Sequence, residues 1–202
     1  MSARPDAPAT RRNQDAILAV LRDEFSHVKS VLEIGSGTGQ HAVHFGGALP
    51  SVRWQTSDLP ENHAGINAWL AAAALQNVIA PFDVDVTKVT ELPGQYDGVF
   101  SANTAHIMGF EAVRCMFRLV GNTLTAGGIF CLYGPFNQDG RFTSESNERF
   151  DASLKQRDPA MGIRNLDDVA KLAAASGLEV VRQYMMPANN MLIVFRKSGE
   201  AL

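Results

Sequence analysis

Cysteine is nearly missing from this chain of 202 residues: only Cys115 and Cys131 occur, each inside an apolar pattern, neither with a Cys or His at metal-ligand spacing. A disulfide framework and a cysteine-based metal site are thereby excluded, and reduced thiols in a cytoplasmic protein are the expectation. No apolar run reaches the length of a membrane-spanning helix. The stretch Met1 to Arg12 has no apolar core of the kind a signal peptide carries. With 18 Lys and Arg against 21 Asp and Glu, the formal net charge of −3 provides no basic field for nucleic acid or an anionic membrane. Internal repeats and low-complexity segments are also missing. Hydrophobic residues make up 46%, enough for one core. The expected organisation is a flexible arm over residues 1–10, where Pro5 and Pro8 stand among small residues, and a single domain over 11–202.

Glycine is concentrated at one place. Ser30 to Ile34 reads as a short apolar strand that runs into Gly35-Ser36-Gly37-Thr38-Gly39, then into a helix opening near Gln40. Glycine at every second position allows a tight turn and lets a ligand approach main-chain N–H groups without meeting a Cβ. The following helix aims its unpaired N–H groups and positive dipole end at whatever lies over the turn. Strand, turn and helix in that order suit the carboxyl edge of a parallel sheet, where open α/β folds bind nucleotides. A dinucleotide fingerprint is spaced Gly-x-Gly-x-x-Gly, whereas here the third glycine arrives one residue early. Glu33 stands two residues before the first glycine, and Glu-x-Gly-x-Gly-x-Gly resembles the first motif of the S-adenosylmethionine-dependent methyltransferases. That resemblance assigns the acidic residue to support of the loop near the ligand's amino-acid end. The structural alternative is a glycine turn that only packs a helix closely on a strand.

Asp15 to Phe25 sets Ile17, Leu18, Leu21 and Phe25 on one side, the spacing of a helix packed on a sheet. Ahead of it, Arg11-Arg12-Asn13-Gln14 reads as a solvated basic turn with Asn13 as N-cap. His41 to Phe45 continues the second helix, which breaks at Gly46-Gly47. His41 and His44 have no carboxylate or third ligand beside them, so no metal is expected. Val52 to Asp58 is a second strand, and Asp58 at its end is placed either to accept from both ribose hydroxyls of a nucleoside or to cap a helix. Ile66 to Leu75 is helical, and Val78-Ile79-Ala80-Pro81-Phe82 is a third strand in which Pro81 is awkward for want of a donor. After it, Asp85 with Val86 and Thr87 is preferred over Asp83 as the partner of an adenine amino group. Tyr96 to Ala102 is a fourth strand, and Asn103-Thr104-Ala105-His106 leaves its carboxyl end beside the glycine loop. His106 is there a candidate general base, or a histidine that only packs on or hydrogen-bonds the ligand.

Glu111 to Leu124 is a helix stopped by Thr125-Ala126-Gly127-Gly128, and Ile129 to Tyr133 a buried fifth strand. Residues 137–165 break the alternation: they are polar, with Phe142 and Phe150 as anchors, as expected of a lid or acceptor segment. Asn147, Asp151, Arg157 and Arg164 offer polar contacts there, or sit as solvated loop groups. After a helix over Leu166 to Ser176, the strands Leu178 to Met186 and Met191 to Arg196 are joined by Pro187-Ala188-Asn189-Asn190. Four residues are too few for a parallel crossover, so these strands pair as a hairpin. A mostly parallel, seven-stranded α/β sheet with helices on both faces and a closing antiparallel hairpin is the Rossmann-like arrangement of class I methyltransferases. A nicotinamide-binding domain normally continues parallel.

Assembled, these residues resemble a specific family: the small methyltransferase-like proteins grouped as domain of unknown function 938, among them human methyltransferase-like protein 26. The resemblance runs nearly end to end. It is carried by Arg12-Asn13, Val31-Leu32-Glu33, Ser36 to His41, Trp54-Gln55 with Ser57-Asp58, Asp85-Val86-Thr87, Asn103 with Ala105-His106 and Tyr133-Gly134-Pro135. It continues through Ser146-Asn147, Phe150-Asp151, Gly162-Ile163-Arg164, Ser176-Gly177-Leu178 and Met186 to Asn190 before Phe195-Arg196-Lys197. Ala16 and Thr56 depart from it, standing where relatives often carry proline. The resemblance implies S-adenosylmethionine as cofactor and S-adenosylhomocysteine as product. It implies a cofactor site of Glu33, Gly35, Ser36, Gly37, Gly39, Gln40, His41, Asp58, Asp85, Val86 and Asn103. His106 and Tyr133 are the implied catalytic residues, and Arg12, Asn13, Asn147 and Asn189 the implied acceptor contacts.

The expected activity is methyl transfer to a small-molecule acceptor, without nucleic-acid or membrane partners. No Asn/Asp-Pro-Pro-aromatic follows the fourth strand and no Pro-Cys pair occurs, which sets aside methylation of base amines and of cytosine carbon. One rival is a binding or scaffold protein that kept the cofactor pocket without catalysis. The other, a nicotinamide-dependent oxidoreductase, is opposed by the glycine spacing, the hairpin and the absence of Tyr-x-x-x-Lys.

Overall fold

The computed structural model describes residues 4–199. In chain order the first elements are α1 (Pro8–Glu24), β1 (Ser30–Ile34), α2 (Gln40–Ala48), β2 (Arg53–Asp58), α3 (Pro60–Ala73), β3 (Val78–Asp83) and β4 (Tyr96–Ala102). There follow α4 (Phe110–Thr123), β5 (Leu124–Gly134), β6 (Phe136–Asn137), α5 (Glu145–Arg157), β7 (Arg164–Asn165), α6 (Leu166–Ala175), β8 (Leu178–Met186) and β9 (Asn190–Lys197). Seven strands form one sheet in the order β3-β2-β1-β4-β5-β9-β8. The first five are parallel, and β9 runs antiparallel to both β5 and β8, closing the sheet with the expected hairpin.

Alternation along the strands explains the layers, because successive side chains leave opposite faces. Val31, Phe100, Cys131, Leu192 and Val194 meet Ile17 and Leu21 of α1 and Phe45 of α2 on one face. Their neighbours Leu32, Val99, Phe130, Ile193 and Phe195 meet Phe117 of α4 and Val169 of α6 on the other. The strand order reverses between β1 and β4, so the loops leaving these two strands part and open a crevice at the carboxyl edge.

Local expectations differ from the fold at several points. The helix expected from Asp15 begins at Pro8, so Asn13 lies buried inside α1 and is not its N-cap. Proline at the first turn needs no N–H partner and its φ is already helical, which moves the start upstream. Of the arm expected over residues 1–10, residues 1–3 fall outside the described residues, residues 8–10 are helical, and Pro5, Asp6 and Ala7 are hydrogen-bonded to the body. Gly46 does not break α2: a Cβ there would fall 2.2 Å from Val78 Cγ2, so the glycine lets helix and strand approach. Pro81 is accommodated because β3 is an edge strand with a register shift against β2. Across that shift Gln55 Nε2 and Thr56 Oγ1 donate to Ala80 O and Ile79 O, both at 2.7 Å. Gly127-Gly128 lie within β5 and do not stop α4. The polar segment 137–165 contains α5, capped by Ser144, whose hydroxyl accepts from Asn147 N at 3.1 Å.

The end of α1 is tied to the far edge of the sheet. The Glu24 carboxylate, with a side chain only 2% exposed, accepts from Arg182 Nε at 2.5 Å, Arg182 Nη2 at 2.7 Å and Tyr184 OH at 2.5 Å. Hydrogen bonding from Arg182 holds its pKa below the ordinary value of 4.5, against the opposing effect of burial. Because the folded pKa is the lower one, the stabilisation is complete above pH 4.5 and is lost as pH falls through the folded value. Glu24→Gln is expected to lower stability at pH 7 by about 1–2 kcal/mol, a figure held down by the half-exposed guanidinium. Urea unfolding of both proteins at decreasing pH checks this: the advantage of the wild type should shrink below pH 4.5.

Candidate functional site

The crevice between the β1 and β4 loops is a cavity of about 530 Å³. Its wall is drawn from the first turn of α1, the glycine loop, the start of α3, the loop after β3 and the loop after β4. Gly35 (φ +72°) and Gly39 (φ +89°) both adopt left-handed backbone, and each is also sterically pinned. A Cβ on Gly35 would lie 2.6 Å from Thr104 Cγ2, and one on Gly39 would lie 2.9 Å from Ile66 Cα. Gly37 faces open space.

Four of the N–H groups over Gly35 to Gly39 are engaged inside the protein. Gly35 N and Ser36 N both donate to Ser57 O at 3.0 Å, Gly39 N donates to Ser36 O at 2.9 Å, and Gln40 N reaches Thr38 Oγ1 at 3.4 Å. Gly37 N donates to Asp58 Oδ2 at 2.6 Å. The other oxygen of Asp58 accepts from Leu59 N and Asn62 Nδ2, both at 2.7 Å. A loop so arranged sets the Asp58 carboxylate beside it in the cavity wall.

Glu33 does not line the cavity. It is 2% exposed beneath the loop, and Oε2 accepts from Ser36 Oγ at 3.0 Å and Trp54 Nε1 at 3.1 Å. Burial raises its pKa to about 7 despite those two hydrogen bonds, and neighbouring Asp58 adds to the rise. Trp54 itself sits in an aromatic group with Phe45 and Phe100 that also seats His41, whose ring stacks on Phe45 at 5.1 Å. His41 lines the cavity, and its Nε2 lies 2.8 Å from Asn13 Oδ1. Burial lowers its pKa to about 3, so the ring is neutral. Asn13 also stands by the phenol of Tyr133, whose pKa is raised by burial, with Asn13 opposing the rise. His44 turns instead to Asp15, at 3.1 Å.

After β3, Val84, Asp85, Val86 and Thr87 line the cavity, and Asp83 does not. Asp85 Oδ1 accepts from Thr87 Oγ1 at 2.6 Å and Thr87 N at 3.0 Å, and Lys88 Nζ lies 2.9 Å from Oδ2. These partners, Thr87 first, bring its pKa down to about 2. After β4, Asn103 has left-handed backbone (φ 59°), and its N donates to Tyr133 O at 2.9 Å. Asn103, Thr104, Ile107 and Met108 all reach the cavity.

His106 and Tyr133 lie behind this wall and not in it. The His106 ring packs edge-on against Phe150 at 5.3 Å, and a Cβ on Gly134 would fall 3.6 Å from its Nδ1. Burial, then the charges of Arg164 and Arg157, lower its pKa to about 4. Arg164 donates to the carbonyls of Ala105, Met108 and Ala160, and so clamps the His106 loop. Asn147 Nδ2 donates to Asn189 O at 3.0 Å, and Asn189 Nδ2 to Ser146 Oγ at 3.1 Å, joining α5 to the β8–β9 turn. Arg12 is exposed and has no polar partner among the described residues.

Sequence reasoning did not single out Asn62, Thr10, Thr104 or Met108. Only the first had a local signal: Asp58-Leu59-Pro60 announces a helix start, which puts the residue four after Asp58 within reach of its carboxylate.

Solved structures share this fold at low identity. An O-methyltransferase family protein from Burkholderia thailandensis superposes with a TM-score of 0.81 and 16% identity, covering 96% of this chain and 58% of that one. The mitomycin 7-O-methyltransferase MmcR gives 0.83 and 18%, covering 94% and 54%. Human N-acetylserotonin methyltransferase in complex with SAM gives 0.78 and 16%, covering 94% and 53%. This chain therefore spans a little over half the length of these proteins and shares their fold. Over residues 4–197 its sequence matches the family described as "Protein of unknown function (DUF938)", and the chain belongs to that family.

Proposed function

We propose that the protein binds S-adenosylmethionine in the crevice and transfers its methyl group to a small-molecule acceptor. The observation that carries this reading is the direct bond from Gly37 N to Asp58 Oδ2 at 2.6 Å. It takes up the loop donor that a pyrophosphate would need and leaves a carboxylate facing the cavity. No Lys or Arg is among the residues of the cavity wall, whose two acidic members are Asp58 and Asp85. A cationic nucleoside fits that field, and a dinucleotide's phosphates do not. The volume, about 530 Å³, is that of a small-molecule site.

In this reading Asp58 accepts from one ribose hydroxyl, Asp85 and Val86 meet the base, and Gly35 to Gly39 with Asn103 hold the amino-acid end. Glu33 acts from beneath, by fixing Ser36 and Trp54. When bound, S-adenosylmethionine supplies a methyl group already activated by its sulfonium. The chain's part is then chiefly alignment. His106, with its pKa lowered to about 4, is too weakly basic to take a proton efficiently near neutrality. The raised pKa of Tyr133 keeps its phenol protonated. Both act by position in this proposal, with Arg12, Asn13, Asn147 and Asn189 toward the acceptor. The cysteines are free and buried, in keeping with a reducing, cytoplasmic setting. One observation favours a second reading, a protein that binds the cofactor without turnover: neither His106 nor Tyr133 reaches the cavity wall.

Calorimetric titration is expected to give micromolar binding of S-adenosylmethionine and S-adenosylhomocysteine and none of NAD. Asp58→Ala should weaken both at least about tenfold, since a hydrogen bond to a charged group contributes about 1.5–3 kcal/mol. Binding of NAD alone would sink the proposal, and a thermal melt of the variant separates lost affinity from lost fold. Tight cofactor binding with no methyl transfer to any pool of metabolites would select the second reading.

The pH dependence of turnover gives an independent check. A histidine with its pKa lowered to about 4 stays neutral from pH 6 to 9. His106→Ala should therefore lower the rate without changing the shape of the profile in that range. An inflection near pH 6.5 that disappears in the variant would restore proton transfer to His106.

A further inference from the structure

Residues 4–10 run along one rim of the cavity, and the site as described gives them no role. The carbonyl of Pro5 accepts from Trp69 Nε1 at 2.7 Å, and the Arg4 guanidinium lies 4.8 Å above the same indole. The Pro5 ring rests against Gly65, where a Cβ would come within 2.8 Å of Pro5 Cγ. The Asp6 carboxylate accepts from Gln40 Nε2 at 3.2 Å and pairs with Arg11 at 2.6 Å. Ala7 N donates to Gln40 Oε1 at 2.6 Å, and Ala7, Ala9 and Thr10 then form part of the cavity wall.

Gln40 is 5% exposed yet is not among the residues of that wall. Its Nε2 donates to Asp6 Oδ1, and its Oε1 accepts from both Ala7 N and Thr38 Oγ1, the latter at 2.9 Å. Thr38 does line the cavity, so one side chain senses both the loop and the segment that crosses it. We propose that residues 4–10 are a strap over the ligand site, latched by Gln40 and anchored by Trp69, and that ligand exchange requires the strap to undock. Only the identity of the ligand rests on the S-adenosylmethionine reading.

The contacts suit a device that opens. Holding residues 4–7, which are outside any helix or strand, costs backbone entropy of the same order as these few hydrogen bonds return. The Asp6–Arg11 pair is solvent-exposed and adds little. Docking is thus poised, and a ligand that presses on Ala7, Thr10 and Thr38 adds the margin that closes it.

The test combines hydrogen exchange with stopped-flow release of S-adenosylhomocysteine, on the 202-residue chain and two variants, Gln40→Ala and Trp69→Phe. Trp69→Phe removes only the donor to Pro5 and keeps a ring under Arg4, so it serves if Gln40→Ala fails to fold. The Ala7 amide of the free wild type should show partial protection, and exchange slowly with ligand bound. Each variant should lose protection over residues 4–10 and release S-adenosylhomocysteine roughly three- to tenfold faster, the effect of one hydrogen bond. Unchanged release from a variant whose strap has lost protection would overturn the gate. Free exchange of these amides in the wild type, with and without ligand, would overturn docking itself. If S-adenosylhomocysteine does not bind the wild type, the cofactor reading fails, and the free proteins decide the strap. Protection lost in Gln40→Ala then supports it, and protection unchanged refutes it.

Discussion

The carboxylate of Asp58 holds the glycine loop and the next helix in one frame. One oxygen takes the N–H of Gly37, and the other takes Leu59 N and Asn62 Nδ2. A carboxylate offers about four lone-pair positions, so three protein donors leave it room for a further hydroxyl. This single group converts a backbone turn that elsewhere grips phosphate into a surface of negative sign. The glycines follow from the same frame, since Gly35 must pass Thr104 and Gly39 must pass Ile66 with no room for a Cβ.

Burial decides the remaining charges. Glu33, His41 and His106 are all enclosed, and in each case desolvation is the largest cause of the shift toward the neutral form. The aromatic packing of Phe45, Trp54 and Phe100 supplies that enclosure on the α1 and α2 face. What is left to act across the cavity is Asp58 and Asp85, the latter kept ionised by Thr87 and Lys88. The site's field therefore comes from two carboxylates in the cavity wall against a background of uncharged polar groups.

The segment around α5 acts as a clamp. Asp151 Oδ1 accepts from Ile163 N at 2.8 Å, Gly162 N donates to His106 O at 3.0 Å, and Arg164 takes three backbone carbonyls. These bonds satisfy main-chain groups that a loop could not otherwise pair away from water. They hold the loop after β4 at the height where it meets the cavity. Asn147 and Asn189 extend the same ties to the closing hairpin.

Much of this was legible in the chain itself. Short apolar runs placed the strands, a four-residue connection required a hairpin, and the offset third glycine with Glu33 and Asp58 pointed to the crevice. Such signals are local, because backbone geometry and side-chain alternation are set by near neighbours. Local reasoning failed where the deciding partner is distant. Asn13 reads as a cap until His41 meets it. Gly46 reads as a break until Val78 packs against it, and α5 escaped notice because a helix so polar buries few side chains and shows no apolar stripe. The sequence by itself determined the order of the seven sheet strands along the chain, the closing hairpin and the acidic, glycine-rich mouth. Tertiary structure alone decided which polar groups are neutral, which carboxylate faces the cavity and where the first residues dock. Desolvation and hydrogen-bond saturation depend on what the fold brings near, and spacing along a chain does not encode that.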